Sequence, residues 1–178
     1  NQLATAQTIP DTTIFNFQAD GYSYIGLNLA NPENPQPGLD EQGNPVEQEP
    51  HPILGDILVR QAIAHSLDYQ TIIDNVFLGQ GYQIAANVLP AITWAHNQEV
   101  APYEYDLEQA KQLLEEAGWT DSDGDGVREK DGNKLSLSLV TNAGNTVRED
   151  LGALVQDQLG QVGFEIDYQA IDFGVMIE

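Results

Sequence analysis

The stretch KLSLSLVTNAGNTVREDLGALVQDQLGQVGFEIDYQAIDF, residues 134–173, decides the fold. It opens with an alternation: Leu135, Leu137 and Leu139 fall on one side, Ser136 and Ser138 on the other, the period of a half-buried strand. TNAGN, residues 141–145, breaks that alternation. From Thr146 the period becomes helical, with Val147, Leu151, Leu154, Val155 and Leu159 in one apolar stripe. Glu149, three residues after Thr146, completes a capping-box pattern. Phe164, Ile166 and Tyr168 then alternate inward again. Strand, helix, strand is a βαβ unit, which implies a right-handed crossover and at least two parallel strands. The expected class is α/β, with helices packed on a small mixed sheet.

The flanking sequence supplies those helices. In YDLEQAKQLLEEAG (105–118), Asp106 and Gln109 form another capping-box pattern and Gly118 is the C-terminal stop. ILGDILVRQAIAHSLD (53–68) carries Leu54, Leu58 and Ala62 at four-residue steps, widened by Ile63 and Leu67. Asp68 ends that helix and caps the next, YQTIIDNVF, whose apolar face is Ile72, Ile73, Val76 and Phe77 and whose stops are Gly79 and Gly81. Arg60 stands four residues after Asp56, the spacing of a helical ion pair. Residues 12–30 predict two short strands, with Phe15 and Phe17 on one face and a turn at Asp20-Gly21. Residues 31–52 hold six of the nine prolines and form a surface loop. The whole chain, 1–178, reads as one domain carrying that loop.

Composition narrows the function. Apolar residues are 41% and charged residues 19% of the chain, an ordinary globular balance. Against 28 acidic residues stand 6 lysines and arginines, a formal charge of −22 that repels phosphate backbones and anionic lipid. Nucleic acid is therefore not an expected partner, and no apolar run is long enough for membrane insertion. Without cysteine there is no disulfide, thiolate metal site or cysteine nucleophile. The chain opens on NQLATAQTIP and has Met176 as its one methionine, so it reads as an internal piece with any targeting segment outside it.

TDSDGDGVREKDG (120–132) is the densest chemical signal. Asp121, Asp123 and Asp125 fall at positions 1, 3 and 5 of a calcium loop, with Gly126 at 6, the Val127 carbonyl at 7 and Glu129 at 9. Position 12 is Gly132 where a bidentate glutamate is expected, and the nearest acid is Asp131. A helix enters this loop but a strand leaves it, unlike a helix–loop–helix hand. Structural Ca²⁺ held by Asp121, Asp123, Asp125, Val127, Glu129 and Asp131 and a plain solvated turn both stay open here. Adjacent carboxylates on a glycine-rich turn do not make a catalytic pair, and His51, His65 and His96 lack metal-ligand spacing. No enzymatic motif is present.

TNAGN lies where the carboxyl end of a strand meets a helix N-terminus, the crevice in which α/β sheets bind ligands. The backbone and side chains of Thr141, Asn142, Gly144 and Asn145 are the candidate ligand contacts, an N-cap turn being the simpler alternative. Trp94, in a polar loop region, is a candidate pocket wall.

The order YSYIGLNLA, DILVRQAIAHSLDYQTIIDNVFLGQG, AITW, YEYDLEQAKQLLEEAGWTDSDGDGVREKDG and KLSLSLVTNAGNTVREDLGALVQDQLGQVGFEIDY resembles the family 5 solute-binding proteins of ABC importers, the oligopeptide, dipeptide and nickel-binding type. Its most specific parts are RQAIAHSLD and AKQLLEEAGW. The resemblance implies a two-lobed, type II periplasmic-binding-protein-like receptor that closes on its ligand, non-catalytic and extracytoplasmic, periplasmic or lipid-anchored. This chain would be most of its later lobe. The implied partners are a peptide or small solute and, through the full-length protein, the permease subunits. It also implies that TNAGN faces the cleft, where relatives often carry an acidic side chain for a peptide's amino terminus; this chain has Asn145 at about that place. The alternative from the residues alone is a calcium-dependent interaction module centred on 121–131.

Overall fold

The computed structural model describes residues 2–15, 21–84 and 93–176. They divide into two compact units, Asn1–Tyr24 with Ile84–Ala101 and Ile25–Gln83 with Pro102–Glu178. In the first, helix α1 (Gln2–Gln7) ends in a turn where the Thr8 hydroxyl donates to the Thr5 carbonyl. Phe15 and Trp94 of this unit are 81% and 98% exposed. The two strands expected across 12–30 do not form among the described residues. An alternating sequence becomes a strand only beside a partner, and the sole pairing here is the isolated bridge Ala30↔Pro50. Phe17 and Asp20 lie outside the described residues.

The second unit holds the core. The 31–52 loop folds on itself: Asp40 accepts from the Gln42 and Asn44 backbone N–H groups, and Val46 N–H donates to the Gly38 carbonyl. Helix α2 (Ile57–Ser66) starts four residues later than its apolar pattern, because Asp56 caps it by accepting from Leu58 N–H. Among the described residues Arg60 pairs with no carboxylate; it donates to the Leu54 and Gly55 carbonyls, 2.6 and 2.9 Å away, and so ties down the turn before its own helix. Asp68 caps α3 (Tyr69–Val76) through the Thr71 N–H and hydroxyl. Helix α4 (Leu107–Glu116) is capped by Asp106. It ends where Gly118 enters the left-handed region, φ +87°, so that Trp119 N–H returns to the Leu114 carbonyl. Val59, Ala62, Leu114, Leu135, Val155 and Val162 make the centre of one core, each at most 2% exposed.

After the acidic loop the chain forms a hairpin that the sequence reading had not separated from it. Strands β1 (Glu129–Lys130) and β2 (Asn133–Lys134) pair antiparallel around Asp131-Gly132, whose φ values of +52° and +81° suit a two-residue turn. Strands β3 (Ser136–Asn142) and β4 (Glu165–Ile171) pair parallel from Ser136↔Glu165 to Asn142↔Ile171, with α5 (Thr146–Gly160) packed on both. The βαβ unit is therefore present. Among the described residues the parallel and antiparallel pairs form separate two-stranded sheets. Fully buried Leu135 links them, its N–H donating to Arg128 and its carbonyl accepting from Glu165. Helix α6 (Phe173–Met176) is one turn after β4.

Candidate ligand-binding turn and acidic loop

The turn 141–145 sits at the carboxyl end of β3, where Asn142 is the last paired residue and Ala143 N–H still donates to the Ile171 carbonyl. Gly144, φ +81°, makes the reversal that leads into α5. Asn145, and not Thr146, caps the helix: its Oδ1 accepts from Arg148 N–H at 3.1 Å. Glu149 consequently reaches past Thr146 to accept from Gly144 N–H at 2.7 Å. The capping motif is shifted by one residue because asparagine occupies the site before threonine.

Three side chains hold this turn, Arg148, Tyr168 and the capping-box residue Glu149. Arg148 donates from Nη1 to Asn142 Oδ1 at 2.5 Å. Glu149 closes the Gly144 peptide, and Tyr168 on β4 donates its hydroxyl to the Glu149 carbonyl at 3.1 Å. Burial and the nearby charges of Glu149 and Asp150 raise the Tyr168 phenol above its ordinary range, so it remains a donor. A visible signal existed in Arg148: a cation in the first turn opposes the helix dipole and needs a reason to be there. Thr141, Asn142, Gly144 and Asn145 are brought together; Trp94 belongs to the other compact unit.

The acidic loop separates its six candidate ligands. Carboxylate oxygens of Asp121, Asp123 and Glu129 lie within 4.8 Å of one another. Asp121 also accepts from Gly124 and Gly126 N–H, and Glu129 from the Ser122 N–H and hydroxyl. Asp125 turns away to Lys134, 2.9 Å from its Nζ, and this hydrogen bond and the Val127 N–H hold its carboxyl below the usual range. Val127 donates its N–H to Asp125, and Asp131 sits in the hairpin turn. Arg128, 11% exposed at its side chain, bonds the Val162 and Trp119 carbonyls and Glu115, fastening the loop to the core.

His51 and His65 serve local structure. His51 Nδ1 accepts from Ile53 and Leu54 N–H, and desolvation lowers its pKa. His65 lies 2.7 Å from the Glu104 carbonyl, with its ring against the edge of Tyr103.

A parallel pair with its crossover helix, and a polar turn at the carboxyl end, is part of a lobe of the type II periplasmic-binding fold. The chain belongs to the bacterial extracellular solute-binding proteins, family 5, whose middle-region model matches residues 1–176. It is 39% identical over 176 residues to the oligopeptide-binding protein AppA of Bacillus subtilis (strain 168), covering 98% of this chain and 28% of AppA. The solved structure of AppA in complex with a nonapeptide superposes with a TM-score of 0.67 at 35% identity, over 79% of this chain and 26% of that one. The nickel-binding periplasmic protein of Escherichia coli (strain K12) is 29% identical over 111 residues, 62% of this chain and 21% of that protein. The chain thus spans about a quarter of the length of these curated relatives.

Proposed function

We propose that this chain is part of the extracytoplasmic substrate-binding component of an ABC importer, taking a peptide or related small solute at the 141–145 turn. The observation that carries the reading is the 39% identity to an oligopeptide-binding protein across 98% of the chain. The position of the turn supports it, since open α/β sheets take ligands at the carboxyl ends of their strands. The role is capture and delivery to permease subunits, without catalysis, by a protein in the periplasm or lipid-anchored at the cell surface.

The calcium-dependent interaction module is not the function, because the solute-binding family match spans the acidic loop along with the rest of the chain. The loop keeps a structural role in this proposal, as a connection that a calcium ion on Asp121, Asp123 and Glu129 would clip. Calorimetry of the full-length receptor against a pool of synthetic oligopeptides, with nickel–histidine as a second probe, tests the reading. The full-length protein is expected to bind one of them, and this chain alone weakly or not at all, because a two-lobed cleft needs both walls. No binding of either probe by the full-length protein would overturn the peptide or metal-chelate assignment.

A further inference from the structure

We infer that the His51 imidazole is an acid-released latch, which holds the 31–52 loop to the start of α2 while it is neutral and lets go when it takes up a proton. The atoms that face the ring decide this. Nδ1 accepts from the Ile53 and Leu54 backbone N–H groups, each 3.0 Å away. Both partners are donors only, so Nδ1 presents its lone pair and the neutral ring carries its proton on Nε2. Protonation turns Nδ1 into a third donor aimed at two donors, and both hydrogen bonds are lost together. His65 shows the opposite polarity. Its Nδ1 faces the Glu104 carbonyl at 2.7 Å, an acceptor to which a protonated ring still donates.

Several constraints meet at the turn that His51 closes. Its backbone N–H donates to the Leu29 carbonyl and its carbonyl accepts from Gly55 N–H, both at 2.8 Å, beside the Ala30↔Pro50 bridge. Gly55 is packed so close that a Cβ there would lie 2.5 Å from the His51 carbonyl oxygen. Ile53 and Leu54 are buried in the core, and the Leu54 and Gly55 carbonyls hold Arg60. Loss of the Nδ1 acceptor therefore strips two N–H groups of their partner and loosens the turn through which the loop is pinned to Leu29. Among the described segments that meet this turn, the titratable and charged groups are Glu47 and Glu49 of the loop and Asp56 and Arg60 at α2, while residues 25–32 carry none. Glu49 accepts from Asn34 Nδ2, Asp56 caps α2, and Arg60 is held by its two carbonyls. Desolvation, and no neighbouring charge, lowers the His51 pKa below the ordinary 6.5. The contribution of the latch is thus complete above 6.5 and is lost as the pH falls from there through the depressed folded value.

The test is hydrogen exchange of the full-length protein, read by mass spectrometry on peptides spanning 51–56 and corrected for the intrinsic rate at each pH. Acidification from about pH 8 to about pH 5.5 stays above the range in which ordinary carboxylates protonate. Over that window, protection of the segment is expected to fall several-fold, with a ceiling of about tenfold set by one proton binding to a free imidazole of pKa about 6.5. His51→Asn places an oxygen that does not titrate at the position of Nδ1, and should hold the turn at both pH values. His51→Gln places its oxygen where Nε2 stands, and should leave the turn open at both. Equal protection of the unmodified protein at the two pH values would overturn the inference without either variant. An acid-induced loss that persists unchanged in His51→Asn would overturn it as well, because another group would then be responsible.

Discussion

Replacing Gly152 by alanine tests the packing that sets the position of the 141–145 turn. By helix propensity alone the change should stabilise α5 by about 1 kcal/mol. The structure predicts the opposite. A Cβ at 152 would stand 2.3 Å from Tyr168 Cε2 and 2.5 Å from Cζ, well inside contact distance. The ring cannot simply swing aside, because its hydroxyl is bonded to the Glu149 carbonyl one turn earlier on the same helix. Overpacking of this kind costs about 1–3 kcal/mol, and loss of the Tyr168 hydrogen bond adds about 1 kcal/mol. The net expectation is a destabilisation of about 1–3 kcal/mol, read as a lower urea midpoint with unchanged slope. Tyr168→Val removes the obstructing ring, so in that background Gly152→Ala should be neutral or stabilising. A stabilising Gly152→Ala in the unmodified chain would refute the close-packing argument. Because Asn145 and Arg148 ride on α5, the same displacement should weaken ligand binding in the full-length receptor.

Three further outcomes are expected. Arg128→Ala should cost about 2–3 kcal/mol in urea unfolding, since the half-buried Val162 and Trp119 carbonyls lose their donors, and lysine should rescue little because it lacks the planar fork. Asp68→Ala should cost about 1 kcal/mol at neutral pH as a lost N-cap. The Thr71 hydroxyl and N–H hold the folded Asp68 carboxyl below its usual 3.8, so that contribution is complete above this value and is lost as pH falls through the depressed folded pKa; an Asp68→Ala penalty that persists unchanged at pH 2 would contradict the assignment. In the acidic loop, Asp121→Asn should lower the melting midpoint, more in CaCl₂ than in EDTA, and leave ligand choice unchanged, whereas altered ligand selectivity would show that the loop acts at the cleft.

Legibility in the sequence followed the range of the forces involved. The βαβ unit could be read because its periods of two and 3.6 are imposed by burial along a contiguous stretch, and residues 134–173 contain both strands and the helix between them. The caps at Asp68 and Asp106 could be read because an N-cap bonds only two or three residues ahead. Residues 12–30 failed the same treatment: alternation says which face would be buried but supplies no neighbouring strand, and only Ala30 finds one among the described residues. Arg60 misled for a related reason, since i,i+4 spacing offered it Asp56 while the unsatisfied carbonyls of Leu54 and Gly55 lay nearer.

Topology singled out the 141–145 turn as the proposed ligand contact, but its hydrogen bonding was not legible, because composition counts acceptors and donors without saying which are already used. TNAGN on its own offers two amides able to meet either sign of ligand group. Only the fold brings Arg148 back over Asn142 and sets Asn145 at the cap, which occupies both oxygens. The acidic loop shows the converse. Its carboxylates suggested a centre of function, yet Asp121, Asp125 and Glu129 each accept hydrogen bonds from within the loop or its hairpin. What distinguishes the two segments is how their side chains are held: Arg148 ties down both asparagine oxygens at 142–148, while the carboxylates at 121–129 close their own loop.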